Sequence, residues 1–455
     1  MKNFKRILSI VLVLAMLLLS TGCSLNFFST DSLLKPPALT GKSGEVQEAF
    51  DKLMSGKTFQ LKTPVKGEYK SAFVLYDIDN DSEEEALVFY TDSSTDTSVR
   101  IAVLDCVKDT WILINDINGS GSGVYDVSFP DLNGDGSPEI VVAWSLFDNK
   151  LTKLLTIYGV HHELDGQFKI ETLANEYFNS KAYIDLNTNG VPDLILVYLD
   201  DAGEVQNSYF RAFSLDNKNT IIKFSELLLD SSITSVSAIN HDFIAQHDNE
   251  YTRVFIDCIK SDTSIFTEVI SWDLTTSKAA RVIQDPAKTT TRSSKLLTQD
   301  IDNDANFEIP VTTKFFSDKK ESSIVISGVV YNFTMLEWLN LAGDKSDEEL
   351  RTFYNPVHSY LLGFPWGDNV TVKFDKIENQ TNYCIWNAST NEIEDILFSI
   401  KFIEKQSVTK ETNELYDDYL ILESTNEGDF VFEITPYGES FGITEETIKS
   451  TFIMI

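Results

Sequence analysis

The sequence is short of positive charge, of cysteine and of histidine, and each shortage closes off a class of function. Its 455 residues carry 37 Lys+Arg against 70 Asp+Glu, a net charge of −33. Such a surface is repelled by nucleic acid and by anionic lipid headgroups. The four cysteines, Cys23, Cys106, Cys258 and Cys384, are too few and too far apart for a disulfide framework or a zinc site. Cys106, Cys258 and Cys384 are expected as small buried hydrophobes. His161, His162, His241, His247 and His358 complete the sparse set. The adjacent pair lies in a strand-like run, where successive side chains point to opposite faces, so the two do not converge on one metal.

Recognisable catalytic motifs are missing too. There is no HExxH, no GxSxG, no phosphate-binding P-loop and no GxGxxG opening a helix. The sialidase repeat Ser-x-Asp-x-Gly-x-Thr-Trp is also absent. The chain is therefore read as a non-enzyme. The alternative is a glycan-active surface enzyme, a lyase or glycosidase. Trp111, Trp144, Trp272, Trp338, Trp366 and Tyr360 would then offer a sugar-stacking platform, although such residues are more often core.

What is present begins with an export signal. Lys2, Lys5 and Arg6 precede an apolar run from Ile7 to Leu19, too short for a comfortable membrane span. It ends in Ser20-Thr21-Gly22-Cys23, which resembles the bacterial lipobox, with Ser20 where a leucine is preferred. That resemblance implies a diacylglyceryl, palmitate-type anchor on Cys23 and a place on the extracytoplasmic face of the cell membrane. Removing residues 1–22 leaves 34 Lys+Arg against 70 Asp+Glu, so the exported chain is still more acidic.

The acidity is organised. Asp77-Ile-Asp79-Asn-Asp81-Ser-Glu-Glu-Glu85 precedes the run ALVFY, and Asp131-Leu-Asn133-Gly-Asp135-Gly136-Ser-Pro-Glu139 precedes IVVAW. Asp185-Leu-Asn187-Thr-Asn189-Gly190-Val-Pro-Asp193 precedes LILVY, and Asp300-Ile-Asp302-Asn-Asp304-Ala-Asn-Phe-Glu308 precedes IPVTT. Oxygen-bearing side chains thus recur at positions 1, 3, 5 and 9, with first positions at 77, 131, 185 and 300. The steps are 54, 54 and 115, the last close to two periods, and Ser235 to Asp257 fills the gap as a degenerate unit. A fixed period of this length marks a repeat architecture. Alternate oxygens on a tight turn suit a hard cation that wants six to eight oxygen ligands. An EF-hand closes with a carboxylate at position 12, and here that position is Val88, Val142, Leu196 or Val311. The EF-hand is excluded.

Closure at position 9 resembles the FG-GAP and VCBS-type repeats of integrin-like β-propellers and bacterial surface proteins, over roughly residues 60–330. The resemblance implies a mainly β chain of four-stranded blades, each calcium loop joining two strands of its blade. It also implies the ligands: Asp77, Asp79, Asp81 and Glu85; Asp131, Asn133, Asp135 and Glu139; Asp185, Asn187, Asn189 and Asp193; Asp300, Asp302, Asp304 and Glu308. A backbone carbonyl at position 7 would add one more. The plain competing reading is a set of acidic turns that bind nothing. Side-chain charge is −4 in the first and fourth loops, −3 in the second and −2 in the third. Position 6 is expected to need a left-handed backbone, which favours Gly136 over Ser82 or Ala305. The second loop, with charge and glycine together, is expected to be the best-formed site.

The organisation expected is a lipoprotein signal at 1–22, a tether at 23–43, a β-propeller with calcium loops at 44–330 and a small α+β domain at 331–455. Glu45 to Met54 has a helical apolar pattern. Beyond Tyr331 a capping box at Ser346 to Glu349 predicts a short helix through Phe353. Strand-like runs follow at 369–374, 382–386, 396–403, 419–424 and 429–434, which would otherwise extend the ring as further blades. Thr444 is expected to cap a helix running to Ile455. This part faintly resembles the C-terminal regions of uncharacterised lipoproteins from low-GC Gram-positive bacteria. The function expected is a surface binding module for a protein or a cell-envelope glycan, with calcium fixing its loops. A purely structural envelope protein is the third reading.

Overall fold

The computed structural model describes residues 40–92, 98–147, 151–162, 168–200, 206–246, 249–292, 296–313, 323–341, 351–363, 369–405 and 419–455. The leader, Cys23 and most of the tether lie outside them, as do Trp366, His247 and the proposed capping box at 346–349. The chain is mainly β, built from several antiparallel sheets, none closed into a barrel. It divides into two compact units.

The first unit holds helix α1 (Lys42–Leu53) and a sheet of β1 (Phe59–Leu61), β2 (Phe73–Tyr76), β3 (Glu85–Asp92), β4 (Arg100–Val107) and β5 (Thr110–Asn118). Strands β1 and β2 each pair with one half of β3, and β4 and β5 follow in order. Val46 and Phe50, one helical turn apart, are the buried face of α1. They pack on Phe73, Val88, Tyr90 and Ala102, and the Phe50 ring meets those of Phe59 and Tyr90 edge-on at 5.2 Å.

The second unit opens with three four-stranded meanders. They are β6 (Gly123–Ser128), β7 (Ile140–Ser145), β8 (Lys153–His162) and β9 (Phe168–Phe178); β10 (Ser180–Ile184), β11 (Asp193–Asp200), β12 (Asn207–Leu215) and β13 (Ile221–Leu228); and β14 (Ser235–Gln246), β15 (Asn249–Ile259), β16 (Ile265–Asp273) and β17 (Lys278–Arg281). The sheets pack face to face through the alternation of their strands. On β11, Leu194 and Leu196 join the cluster of Val141, Ala143 and Leu155, while Ile195 and Val197 join that of Val254, Ile256 and Cys258. Burial on both faces explains why the second strands read as unbroken apolar runs. The degenerate unit at 235–257 is the hairpin β14–β15.

A further sheet pairs β18 (Glu308–Thr313) with β21 (Thr334–Asn340), β22 (Arg351–Asn355) and β23 (Tyr360–Gly363), and ends with β29 (Phe452–Met454). The hairpin β19 (Ser323–Ile326) and β20 (Val329–Asn332) is a two-stranded sheet of its own, and β24 (Val370–Asp375), β25 (Gln380–Asn387), β26 (Glu392–Glu404), β28 (Gly428–Ile434) and β27 (Leu420–Ser424) form the last sheet in that spatial order. All five strand-like runs of the C-terminal region are strands. Two helical expectations fail. Residues 351–353 lie in β22, whose Phe353 is wholly buried among aromatic neighbours. Helix α4 (Glu445–Thr451), capped by Thr444 as expected, stops short of Ile455 because Phe452 turns extended and pairs β29 with β23. Helix α3 (Pro436–Ser440) precedes it, and the one-turn α2 (Pro286–Thr289) follows β17.

One buried ion pair fixes the approach to the last acidic loop. Arg292 donates from Nη2 to Asp257 Oδ1 at 2.8 Å and from Nε to the Leu296 carbonyl at 2.6 Å. Asp257 Oδ2 accepts from the Thr298 N–H at 2.8 Å, and Gln299 then bridges Glu308 across the loop's base. Every polar atom of that aspartate is engaged, as a buried charge requires.

Candidate metal centre

The four acidic loops connect equivalent places: β2 to β3, β6 to β7, β10 to β11, and the Gln299 bridge to β18. They share one backbone. Position 4 has positive φ in each loop (Asn80 61°, Gly134 74°, Thr188 55°, Asn303 63°), and so does position 6 (Ser82 76°, Gly136 91°, Gly190 85°, Ala305 71°). The left-handed residue at position 6 matches the expectation; the one at position 4 was missed, although Asn and Gly dominate there.

Side chains inside each loop hold this course by accepting from its amides. Asp131 takes the N–H groups of Gly134 and Gly136 at 2.7 and 2.9 Å. Asp185 takes those of Asn189 and Gly190 at 3.1 and 2.7 Å, and Asp300 those of Asp304 and Ala305 at 3.1 and 3.0 Å. Position 3 accepts from the position 5 amide at 3.3 Å for Asp79, 2.8 Å for Asn133, 3.1 Å for Asn187 and 3.2 Å for Asp302. Asp135, Asn189 and Asp304 accept in turn from position 7 at 2.7–2.8 Å. These are the turn-forming bonds that Asp and Asn favour, and they gather oxygens on the inner side.

Position 9 stands at the start of the following strand and points inward. Glu85, Glu139, Asp193 and Glu308 are 1, 4, 3 and 2% exposed, and the apolar residue at position 2 (Ile78, Leu132, Leu186 or Ile301) is buried with them. Glu139, Asp193 and Glu308 accept from the position 2 amides of Leu132, Leu186 and Ile301 at 2.7, 3.1 and 3.1 Å. Burial, and secondarily the neighbouring loop carboxylates, push each of these three carboxyls up to about 7.

The loops differ in what neutralises them. Asp77, Asp79 and Glu85 place one oxygen each within 4.8 Å of one another, and so do Asp300, Asp302 and Asp304. These two groups can hold a metal ion. The fourth loop adds a buried oxygen with no partner, Glu308 Oε1. In the second loop the corresponding oxygen is met from within: Asn133 Nδ2 donates to Glu139 Oε1 at 3.1 Å, to Asp135 Oδ2 at 3.0 Å and to Asn219 Oδ1 at 2.9 Å. The loop expected to be best formed has its position 3 ligand, Asn133, acting as a donor. The third loop offers only Asp185 and Asp193 as carboxylates. Asn219, in the β12–β13 turn, carried no sequence signal for this contact.

Other candidates resolve as framework. Trp144 and Trp338 are buried and donate to Thr156 and Thr352 at 3.0 and 2.8 Å. Tyr360 is wholly buried against Tyr383, and Trp272 lies against Phe224. Trp111 packs partly on the α1 core. His161 lies 3.6 Å from Glu171, and His358 is paired with Asn379 at 2.9 Å under Phe402. Burial lowers the His358 pKa. Cys258 and Cys384 are buried free thiols, and Cys106 is partly buried.

No protein-family model matches the chain, and no curated protein matches it. Among solved structures it is similar to the crystal structure of S. cerevisiae core factor at 10% identity, with a TM-score of 0.24. The match covers 85% of this chain and 58% of that one. At that score nothing about fold or function passes between them.

Proposed function

We propose that the chain is a calcium-stabilised binding module on the outer face of a cell membrane, tethered through a lipid on Cys23. Its four-stranded sheets would serve as blades of a propeller resembling the FG-GAP and VCBS repeats. The observation that carries the ion reading is the fourth loop. There four carboxylates share a backbone held by amides, and the most buried of them has an oxygen with no partner. An orphaned carboxylate oxygen is costly in a protein interior, and a hard cation with oxygen ligands removes that cost. Calcium suits the loop better than magnesium, because a flexible nine-residue turn can supply six or more oxygens without octahedral exactness. The ion fixes loops and does no chemistry; the ligand of the module would be a protein or a cell-envelope glycan.

Thermal unfolding of the full chain with calcium, with magnesium and with excess chelator tests this. Calcium alone is expected to raise the midpoint, by linkage worth about 2.7 kcal/mol per site at a hundredfold excess over Kd. An identical midpoint in all three conditions sinks the ion reading.

A further inference from the structure

The sheet of β14–β17 has no acidic loop of its own, yet it reaches into the loop of its successor. Asp242 on β14 stands opposite Arg253 on β15, and their side chains are 0 and 1% exposed. Arg253 donates from Nε to Asp242 Oδ1 at 2.8 Å and from Nη2 to Oδ2. Asp242 Oδ2 also accepts the backbone N–H of Phe307 at 2.9 Å. The Arg253 guanidinium lies over the Phe255 ring at 5.2 Å, and that ring stacks on Phe307 at 5.9 Å.

Phe307 is position 8 of the fourth loop, beside Glu308. In the second and third loops position 8 is Pro138 or Pro192, which presets φ and brings no N–H to satisfy. The fourth loop has an N–H at this place, part-buried, and Asp242 is the acceptor that satisfies it. We propose that Asp242, oriented by Arg253, is a positioning residue for a divalent cation in the fourth loop. By holding the Phe307 amide it fixes the start of β18, so that Glu308, whose buried Oε1 has no partner, keeps its place beside the cluster of Asp300, Asp302 and Asp304. The proposal rests on the reading of that loop as an ion site.

Calcium titration of the full chain by calorimetry, with Glu308→Gln marking which site belongs to the fourth loop, tests it. Two double variants remove the buried charges together, so neither leaves an unpaired ion. Asp242→Asn with Arg253→Met keeps an acceptor for Phe307; Asp242→Leu with Arg253→Met does not. The first is expected to bind calcium at the fourth loop within about threefold of the parent, the second about tenfold or more weakly, with other sites unchanged in both. Asp242→Val with Arg253→Leu replaces the apolar pair should circular dichroism show it unfolded. Parent affinity in the apolar variant, or equal losses in both variants, overturns the role while leaving the site standing. A parent chain that takes up no calcium overturns the ion reading first.

Discussion

The loops at 131–139 and 300–308 bend alike and neutralise their carboxylates differently. In the earlier loop, the Asn133 amide supplies donors to Asp135 and Glu139, so both oxygens of the buried Glu139 are met. In the later loop position 3 is Asp302, which has no donor to give, and Glu308 Oε1 stays unmet. One nitrogen in place of one oxygen thus separates a turn that closes on itself from a turn that leaves a buried carboxylate oxygen unmet. Glycine at position 6 does not decide it, because Ala305 follows the same left-handed course as Gly136.

The largest expected effect comes from deleting the first ligand of each loop. Asp300→Ala should abolish a calcium-dependent increment of about 2.7 kcal/mol, measured at a hundredfold excess over Kd. Asp131→Ala should lower stability by about 1–2 kcal/mol through two lost turn bonds, equally with calcium and with chelator. Denaturant unfolding under both conditions reads the difference, and a calcium-specific loss in Asp131→Ala would break the comparison.

Exchanging position 3 sharpens it. Asn133→Asp removes the internal donor and is expected to cost about 1–2 kcal/mol in chelator, recovered on adding calcium. Asp302→Asn is expected to weaken calcium binding at its own loop by about tenfold while raising stability in chelator. Terbium luminescence and unfolding curves on the two variants check both signs.

A further effect follows from pH. Glu139, Asp193 and Glu308, each pushed by burial to about 7 in the folded chain, hold protons that the unfolded chain releases nearer the ordinary carboxylate range. Their contribution is therefore full below the unfolded values and is lost as pH rises through about 7. In chelator the unfolding midpoint should fall between pH 5 and 8. Saturating calcium should cancel the share of Glu308, which the ion keeps charged, and leave that of Glu139. A midpoint flat with pH in chelator would contradict the burial of these groups.

The sequence announced the strands and the loops because both rest on local pattern. Unbroken apolar runs such as IVVAW and LILVY come from strands buried on both faces, and a nine-residue polar frame with Asp, Asn and Gly marks the turns. Helix α1 and the Thr444 cap were legible for the same reason. What escaped depends on distance. Asn133 can turn its nitrogen inward because Asn219, 86 residues later, accepts from it; Asp242 meets Phe307 across 65 residues. Residues 351–353, the start of the strand Arg351–Asn355, carry a helical expectation because charge and a capping pattern outweigh Phe353, whose burial against another sheet no local window contains.

The smallest effect isolates the backbone from the ion. Ala305 and Gly190 occupy the same position with φ 71° and 85°, and a Cβ built on Gly190 would meet nothing within 4 Å. Steric packing is therefore silent there, and Gly190→Ala should cost only the left-handed strain, about 1 kcal/mol. Ala305→Gly should relieve the same strain, less the extra freedom glycine gives the unfolded chain, for a gain of about 0.5 kcal/mol in chelator. Because Ala305 contributes only an N–H to Asp300, its replacement should leave calcium affinity unchanged. An Ala305→Gly chain that gained stability only with calcium would mean that the ion, rather than the amides, imposes the left-handed turn.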